Sequence, residues 1–553
     1  MDTLFDTRHT ILIVLVVLIT CVPFLDKAYH IDDTFVLAIT ENIIENPLDP
    51  MGGDIDWTGE TKPILTTTTN PPFISYYLAP FALLSDYNEI VLHAGMMLFI
   101  LLYGLGAYAL TKRFSQGSLF PVLFVLTSPA VMVSGNVMRD TPALGLATLG
   151  LALFIYGVDS ERRPYLFLGS IFAGLAILTK YSAIIMLPVY LVYVILNRKY
   201  RLLIWVWPML ALILTWCLHN QVIYGKMHMV YLAMLKHHMT PKPWDNKLSG
   251  GLMLFGSILY LAPFAVYGEF QRSRWLAFFL AIGAGVATFY GVQTHHGWKA
   301  DGEYLFWAVT GGITVFLCLL EGIRRGLPYL LDWNNKQATD SLFLFAWFCA
   351  PFLFSILLVP FQAVRHLLMA LLPLTLLAFQ TLDRQPSWSQ VGRRLCIGLL
   401  LIQTLMGFAV HYADCDYANT YREFAAYAKK HWTKPNRETW YIGHWGWKFY
   451  ADRAGFRQIH YNGEFPQKGD ILLWPQYVHT GTVFMDDRAF QDSLQPIETQ
   501  TVLTFHPIRT MNRQGAKFYA TIWIDTPYRL YQPIPLDTMR VFLVTRDYQP
   551  SNK

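Results

Sequence analysis

Apolar runs of bilayer-crossing length recur along most of this 553-residue chain, and their recurrence limits what it can fold into more than any other feature. A helical crossing takes about 20 residues. By that measure about thirteen segments of spanning or near-spanning length are expected, centred near residues 18, 100, 125, 150, 172, 188, 210, 258, 283, 312, 350, 373 and 402. The composition agrees: 54% of residues are hydrophobic, 15% are charged and the mean hydropathy is +0.32, whereas a soluble chain is about a quarter charged. The first run, "ILIVLVVLITCVPFL", has no small-residue cleavage site after it and reads as a retained helix. The expected fold is a polytopic α-helical membrane protein.

The connections between the runs divide by charge. With the N-terminus in the cytoplasm, the inside loops hold about fifteen basic residues, among them Lys112, Arg113, Arg162, Arg163, Arg198 and Lys199, while the short outside turns hold Arg139, Lys180, Lys299 and Arg365. Positive charge favours the inside, and an odd number of crossings then leaves the C-terminal tail outside. The net charge of +5 is dispersed in these small clusters, which argues for membrane topology and against a nucleic-acid partner. Of six cysteines only Cys415 lies in the polar tail, so no disulfide framework or CxxC metal site is available there. No GxGxxG or GxxxxGK[ST] loop supports nucleotide binding.

Two outside connections are long, residues 26–88 and 219–248, and long loops with their own structure are usually functional. The first carries the adjacent carboxylates Asp32 and Asp33 just where the chain leaves the first run. Either is able to N-cap a helix whose apolar positions Phe35, Val36, Ile39, Ile43 and Ile44 recur at helical spacing and which Pro47 ends. Such a helix would lie in the interface, its apolar face in lipid or against the bundle. From residue 413 the sequence turns polar and mixed. "NTYREFAAYAKKHW" has a helical period, "WGWKFYADRAG" predicts a helix stopped by Gly455, and "ETWYIG", "GDILLWP", "KFYATIWI" and "MRVFLVTR" predict strands. The expected organisation is a membrane domain over residues 1–412 and an extracytoplasmic α/β domain over 413–553, the latter long enough to bury a core of its own.

Five stretches occur in one order: "HIDDTFVLAITENI" after helix one, "TNPPFISYYLAPF", "MRDTPALGLATLGLALF", "GLAILTK" and "RHLLMALLPLTLLA". As an ordered set over roughly residues 10–412, they resemble the GT-C integral-membrane glycosyltransferases, in the branch of the protein O-mannosyltransferases and the bacterial lipid A aminoarabinose transferases (family 39 and its relatives). The resemblance implies a polyprenyl-phosphate sugar as donor, presented from the outer leaflet, and an acid of the first loop as catalytic base. It places Asp32 at the first acid of the motif and Asp33 where relatives usually carry Glu. The chemistry is sound on its own terms, because an acceptor hydroxyl is a weak nucleophile until a positioned carboxylate accepts its proton. One departure is Asn70 before Pro71-Pro72, where relatives usually have Lys or His.

The remaining candidates gather around the donor. Arg139-Asp140 opens a helix at the outer side; helix capping is its bland reading, and the resemblance makes Asp140 a second acid facing the same cavity. Lys180 sits at the tip of a hairpin whose arms are shorter than a full crossing, and Arg365 lies in "VPFQAVRHLLMALLPL" with apolar sequence on both sides. A charge at such depth is costly unless it snorkels, pairs or lines a polar cavity. The resemblance matches Arg365, in a segment that also holds His366, to an arginine that holds the lipid phosphate; a guanidinium fork suits phosphate oxygens. The pairs His237-His238 and His295-His296 have metal-ligand chemistry but are as readily interfacial, and a divalent metal is left open. The competing functions are a transporter or lipid flippase, for which inverted repeats are expected and not seen, and a non-catalytic homologue in envelope assembly. Lipid, glycan and protein hydroxyls all remain as acceptors.

Overall fold

The computed structural model describes residues 5–548 apart from 58–59, 116–118, 238–243, 273, 297–300, 381–389, 461–462, 479–486, 513–514 and 521–524. Among the described residues seven helices are long and apolar enough to cross a membrane: Thr7–Phe24, Glu89–Phe114, Asp140–Ser160, Tyr200–Tyr224, Gly302–Leu330, Lys336–Leu357 and Gln390–Trp432. The pair Lys247–Ile258 and Ala262–Gly268, bent by 90°, adds an eighth if it is one broken span. Arg163–Thr179, Tyr181–Leu196, Phe278–Thr294 and Leu368–Gln380 are shorter apolar helices.

Not every expected segment is a full-length crossing, and prolines account for two of the breaks. Near residue 125 the chain forms two short helices, Phe120–Leu126 and Pro129–Val133. Ser128 between them is extended, as a residue before proline prefers, and its hydroxyl accepts the Val131 N–H as a cap. In the bent pair Pro263 is second in the second helix, where its missing N–H is harmless, and it cannot continue the first. The hairpin tip at Lys180 is as expected: the helix Arg163–Thr179 stops, Lys180 is extended, and a 3₁₀ turn Tyr181–Ile185 starts the return.

The loops assigned to one side by charge do meet at one end of the bundle. There Arg113 bonds Asp159 and Asp340, Lys336 reaches Asn197, Lys199 pairs with Glu161, and the Arg198 guanidinium lies 3.9 Å from the Trp333 ring centre. At the opposite end the first long connection folds into the helix Asp33–Glu45, an antiparallel pair Asp54–Asp56 with Thr61–Pro63, a turn of helix Ile64–Thr67 and the helix Phe73–Ser85. The amphipathic helix Asp33–Glu45 buries Phe35, Val36, Ile39 and Ile43 against Phe73–Ser85 and the tail helix Trp445–Ala454, so its apolar face is covered by protein. The second connection contributes the helix His228–His237, and His228 Nε2 lies 3.1 Å from the Thr68 carbonyl, tying the two loops together.

Residue 413, where composition changes, lies inside the unbroken 43-residue helix Gln390–Trp432. The tail beyond it builds a five-stranded sheet in the order Arg457–Gln458, Thr439–Tyr441, Ile471–Pro475, Asp537–Val544, Leu494–Val502. The first three strands are parallel and the last two pairings antiparallel. Gly455, at φ +86, ends the helix Trp445–Ala454 as expected. Of the strand expected over "KFYATIWI", residues 521–524 lie outside the described residues, and the described part has isolated bridges beside it, Met511 to Lys517 and Ala516 to Thr526. The edge strand Leu494–Val502 was not expected; its Pro496 sits beside a bulge, where the missing donor does not interrupt a central ladder.

Candidate active site

The helix Asp33–Glu45 starts at the end of the bundle away from the basic loops and fixes the two first-loop acids in different settings. Asp32 occupies the N-cap position, yet its side chain makes no capping hydrogen bond. Its carboxylate, about a third exposed, is instead ion-paired with Nη1 of Arg365. Asp33 is fully buried, and its Oδ2 accepts the His30 N–H at 2.9 Å while Oδ1 has no partner. Burial pushes the Asp33 carboxyl up to about 7, with the His30 N–H and the charge of Lys27 working the other way. Of the two acids, only Asp32 is open to an incoming molecule.

Asp140 begins the helix Asp140–Ser160, which packs backbone to backbone on Glu89–Phe114; a Cβ at Gly145 would run into the Phe99 carbonyl. The Asp140 carboxylate is ion-paired with Lys180, so neither group caps a helix or snorkels. Arg365 lies in the short turn Val364–His366 that leads into Leu368–Gln380. Burial opposes its charge, and the carboxylates of Asp32 and Asp140 more than offset this, holding the guanidinium above its ordinary value. His366 beside it is half-buried next to Phe361, 5.2 Å between ring centres, with Nδ1 unpartnered. Burial and the positive charges of Lys180 and Arg365 keep it neutral.

Arg139 is the exception among these cations. It is 8% exposed, its guanidinium lies 5.5 Å from the Phe35 ring centre, and neither Nε nor Nη2 has a hydrogen-bond partner. Asp32, Asp140 and Arg365 all act on it electrostatically. The site thus sets three cations against two carboxylates, and the cation left over has two open donors in a buried place. Leaving such donors unmade is costly, and an anion has the acceptors that would satisfy them. Sequence reasoning brought Asp32, Arg139, Asp140, Lys180, Arg365 and His366 forward separately, and the structure gathers them at one end of the bundle.

Sequence reasoning missed a second cluster just beneath. Lys27 Nζ lies 2.5 Å from Asp414 Oδ2 and 2.6 Å from Asn136 Oδ1, and Tyr519 donates to Asp414 Oδ2 at 2.6 Å. Lys27 and Asp414 each sit at the end of an apolar run, the position where a charge asks for a partner. The histidines weighed as metal ligands, His237, His238, His295 and His296, lie outside the residues whose side chains are described. Among the described residues no group of three or more His, Cys, Asp or Glu is arranged to hold a metal ion.

Residues 69–224, which carry Arg139, Asp140 and Lys180, match the family model of the dolichyl-phosphate-mannose-protein mannosyltransferases. No curated protein sequence matches the chain. Among solved structures the chain is similar to ArnT from Cupriavidus metallidurans bound to undecaprenyl phosphate, at 14% identity and a TM-score of 0.47 over 85% of this chain and 94% of that one. It is also similar to the archaeal oligosaccharyltransferase AglB from Archaeoglobus fulgidus in complex with an inhibitory peptide and a dolichol-phosphate, at 12% identity and a TM-score of 0.46 over 82% of this chain and 64% of that one. The matched segment spans the second acid and its lysine, so the family likeness covers that part of the site.

Proposed function

We propose that this protein transfers a sugar from a polyprenyl-phosphate donor to an acceptor hydroxyl at the outer face of the membrane, with inversion and with Asp32 as general base. The observation that carries the reading is Arg139, a buried cation with two unpartnered donors within electrostatic reach of Asp32, Asp140 and Arg365. A lipid-linked phosphodiester brings one negative charge and the acceptor oxygens those donors lack. The family description, a lipid-phosphate mannose transferase, agrees with that donor class. The clustering of basic loops at the other end of the bundle favours an outer position for the site.

In this reading the phosphate is taken by Arg139 and then by the Arg365 fork. Arg365 is tied to Asp32 in the resting protein, so drawing the guanidinium toward the phosphate frees the carboxylate when the donor is in place. Asp32 then accepts the hydroxyl proton as the acceptor oxygen bonds to the anomeric carbon. The bond from that carbon to the phosphate oxygen breaks on the opposite face, its electron pair leaving on the phosphate. The departing polyprenyl phosphate carries one more negative charge than the donor did, and protonated Asp32 one less, so the site's charge balance is kept. Asp140, held by Lys180, is placed to orient a substrate hydroxyl.

The experiment supplies purified protein with radiolabelled polyprenyl-phosphate mannose and membranes from a deletion strain as the acceptor source. Release of free polyprenyl phosphate with transfer of label is expected. A protein that binds the donor but releases nothing would overturn the catalytic reading in favour of a non-catalytic homologue.

A further inference from the structure

Between the first span and the helix Asp33–Glu45 the chain makes a turn that ought not to be comfortable. Ile31, buried and β-branched, sits at φ +51 immediately before Asp32. A bulky residue in the left-handed region is an outlier, and such a conformation persists only where the surroundings over-determine it. Here they do, from two sides. The Ala28 N–H bonds the Asn419 side chain at 2.9 Å, the Tyr29 N–H bonds the Tyr450 hydroxyl at 2.8 Å, and the His30 N–H bonds Asp33. Gly446 opens the tail helix Trp445–Ala454 against this same segment, and a Cβ there would strike the Tyr29 carbonyl.

The side chains complete the clamp. His30 stands edge-on to Tyr519 at 4.8 Å between ring centres, and its Nε2 lies 3.5 Å from Asp414 Oδ2. That one oxygen also receives Lys27 and the Tyr519 hydroxyl, while Asn136 donates to Tyr519 at 2.6 Å and accepts from Lys27. All five side chains are buried. Three of the groups that hold residues 29–30, namely Tyr450, Gly446 and Tyr519, come from the C-terminal domain.

We propose that Tyr519, acting through Asp414, Lys27 and His30, is a positioning residue for Asp32, which makes the C-terminal domain a working part of the transfer site. The inference rests on the reading of Asp32 as base. A base must be aimed as well as present, and a displacement of about 1 Å is enough to cost one to two orders of magnitude in rate.

Tyr519→Phe keeps the ring beside His30 and removes only the hydroxyl. With the radiolabelled polyprenyl-phosphate sugar, kcat should fall about tenfold while the donor KM stays at the wild-type value, because no phosphate contact is touched. Hydrogen exchange of the peptide covering residues 27–33 should accelerate in the same variant. Gly446→Ala leaves every polar partner in place and pushes on the segment from the tail, so it should reproduce the split and keeps the test alive if Tyr519→Phe does not fold. Wild-type kcat per folded molecule in both variants, with Asp32→Asn inactive, would overturn the positioning role and leave the base reading intact. An active Asp32→Asn would overturn the base reading and this inference with it.

Discussion

The two ends of the bundle each hold an arginine in a cluster of charges, and they differ in how completely that arginine is used. At the end where the basic loops meet, Arg113 spends its nitrogens fully: Nη1 and Nη2 take the two oxygens of Asp340 at 2.9 and 3.0 Å, Nε takes Asp159 at 2.5 Å, and Nη2 also reaches Tyr193 at 3.3 Å. At the other end Arg365 and Lys180 hold one carboxylate each, and Arg139 has Nε and Nη2 without a partner. A saturated fork locks elements together and has nothing left for a ligand. An unsaturated one in a buried site is waiting for acceptors, since unmade charged hydrogen bonds are costly. We read the first cluster as a fastening and propose the second as a binding site.

The comparison is tested most sharply at Asp32. Asp32→Asn should lower sugar transfer by about 10²-fold or more while leaving yield and melting temperature unchanged, because Asn keeps the size and cannot take the proton. Arg365 would then lose its carboxylate partner but not its phosphate. Wild-type turnover in a well-folded Asp32→Asn would move the base elsewhere, with Asp140 next in line. Arg139→Ala comes second. It should raise the donor KM by about tenfold or somewhat more, the worth of a charge-assisted hydrogen bond, with only the small loss of stability that the Phe35 contact accounts for, since in the resting protein Nε and Nη2 have no partner. A lower melting temperature with an unchanged KM would make Arg139 a fastening like Arg113.

The third substitution takes the other end. Arg113→Met leaves Asp159 and Asp340 with only Lys336 and the Tyr193 hydroxyl and should cost about 2 kcal/mol of stability, discounted from the fully buried case because the side chain is about a quarter exposed. Donor KM and kcat should not move. A change in either would mean that the two ends are coupled and that saturation does not separate them.

Much of this was legible in the sequence, and the reason is depth. Asp32, Asp140, Lys180 and Arg365 stand out because apolar sequence flanks them, so their charge is expensive wherever the fold puts them. The division of basic loops follows from the same energetics, and the loops do share an end. What was not legible is partnership. Lys27 and Asp414 are 387 residues apart, and nothing local to either says which opposite charge the fold will bring. The N-cap spacing around Asp32 is a local pattern, whereas its ion-pair partner Arg365 is 333 residues away and nothing local points to it. In the tail the strand Leu494–Val502 was hidden by a proline and polar alternation, which an edge tolerates.

Asp33 gives the smallest effect and sharpens the contrast from within the site end, because it is a buried carboxylate with no cation in direct contact, unlike Asp340. Burial raises it to about 7, against the pull of the His30 N–H and Lys27 and with the help of the Asp32 and Asp414 charges. The sign follows from proton counting. Below about pH 4 the folded and unfolded states both carry the proton and Asp33 costs nothing. As the pH climbs to about 7 the unfolded chain gives its proton up and the folded protein keeps it, so stability falls; above that the penalty is constant. Asp537, raised by burial to about 6, adds a fall in the same direction, and His30, lowered by burial, adds a loss below its ordinary value of 6.5. Both remain when Asp33 is replaced. The difference between wild type and Asp33→Asn therefore isolates the one carboxyl, and Asn still offers an oxygen to the His30 N–H. Melting temperatures in detergent at pH 5 and pH 8 should show the variant gaining on wild type as the pH rises, with transfer activity kept because Asp32 is untouched. Two curves that stay parallel would mean that Asp33 is ionised in the folded protein and that a partner compensates it, making it a paired charge like Asp340.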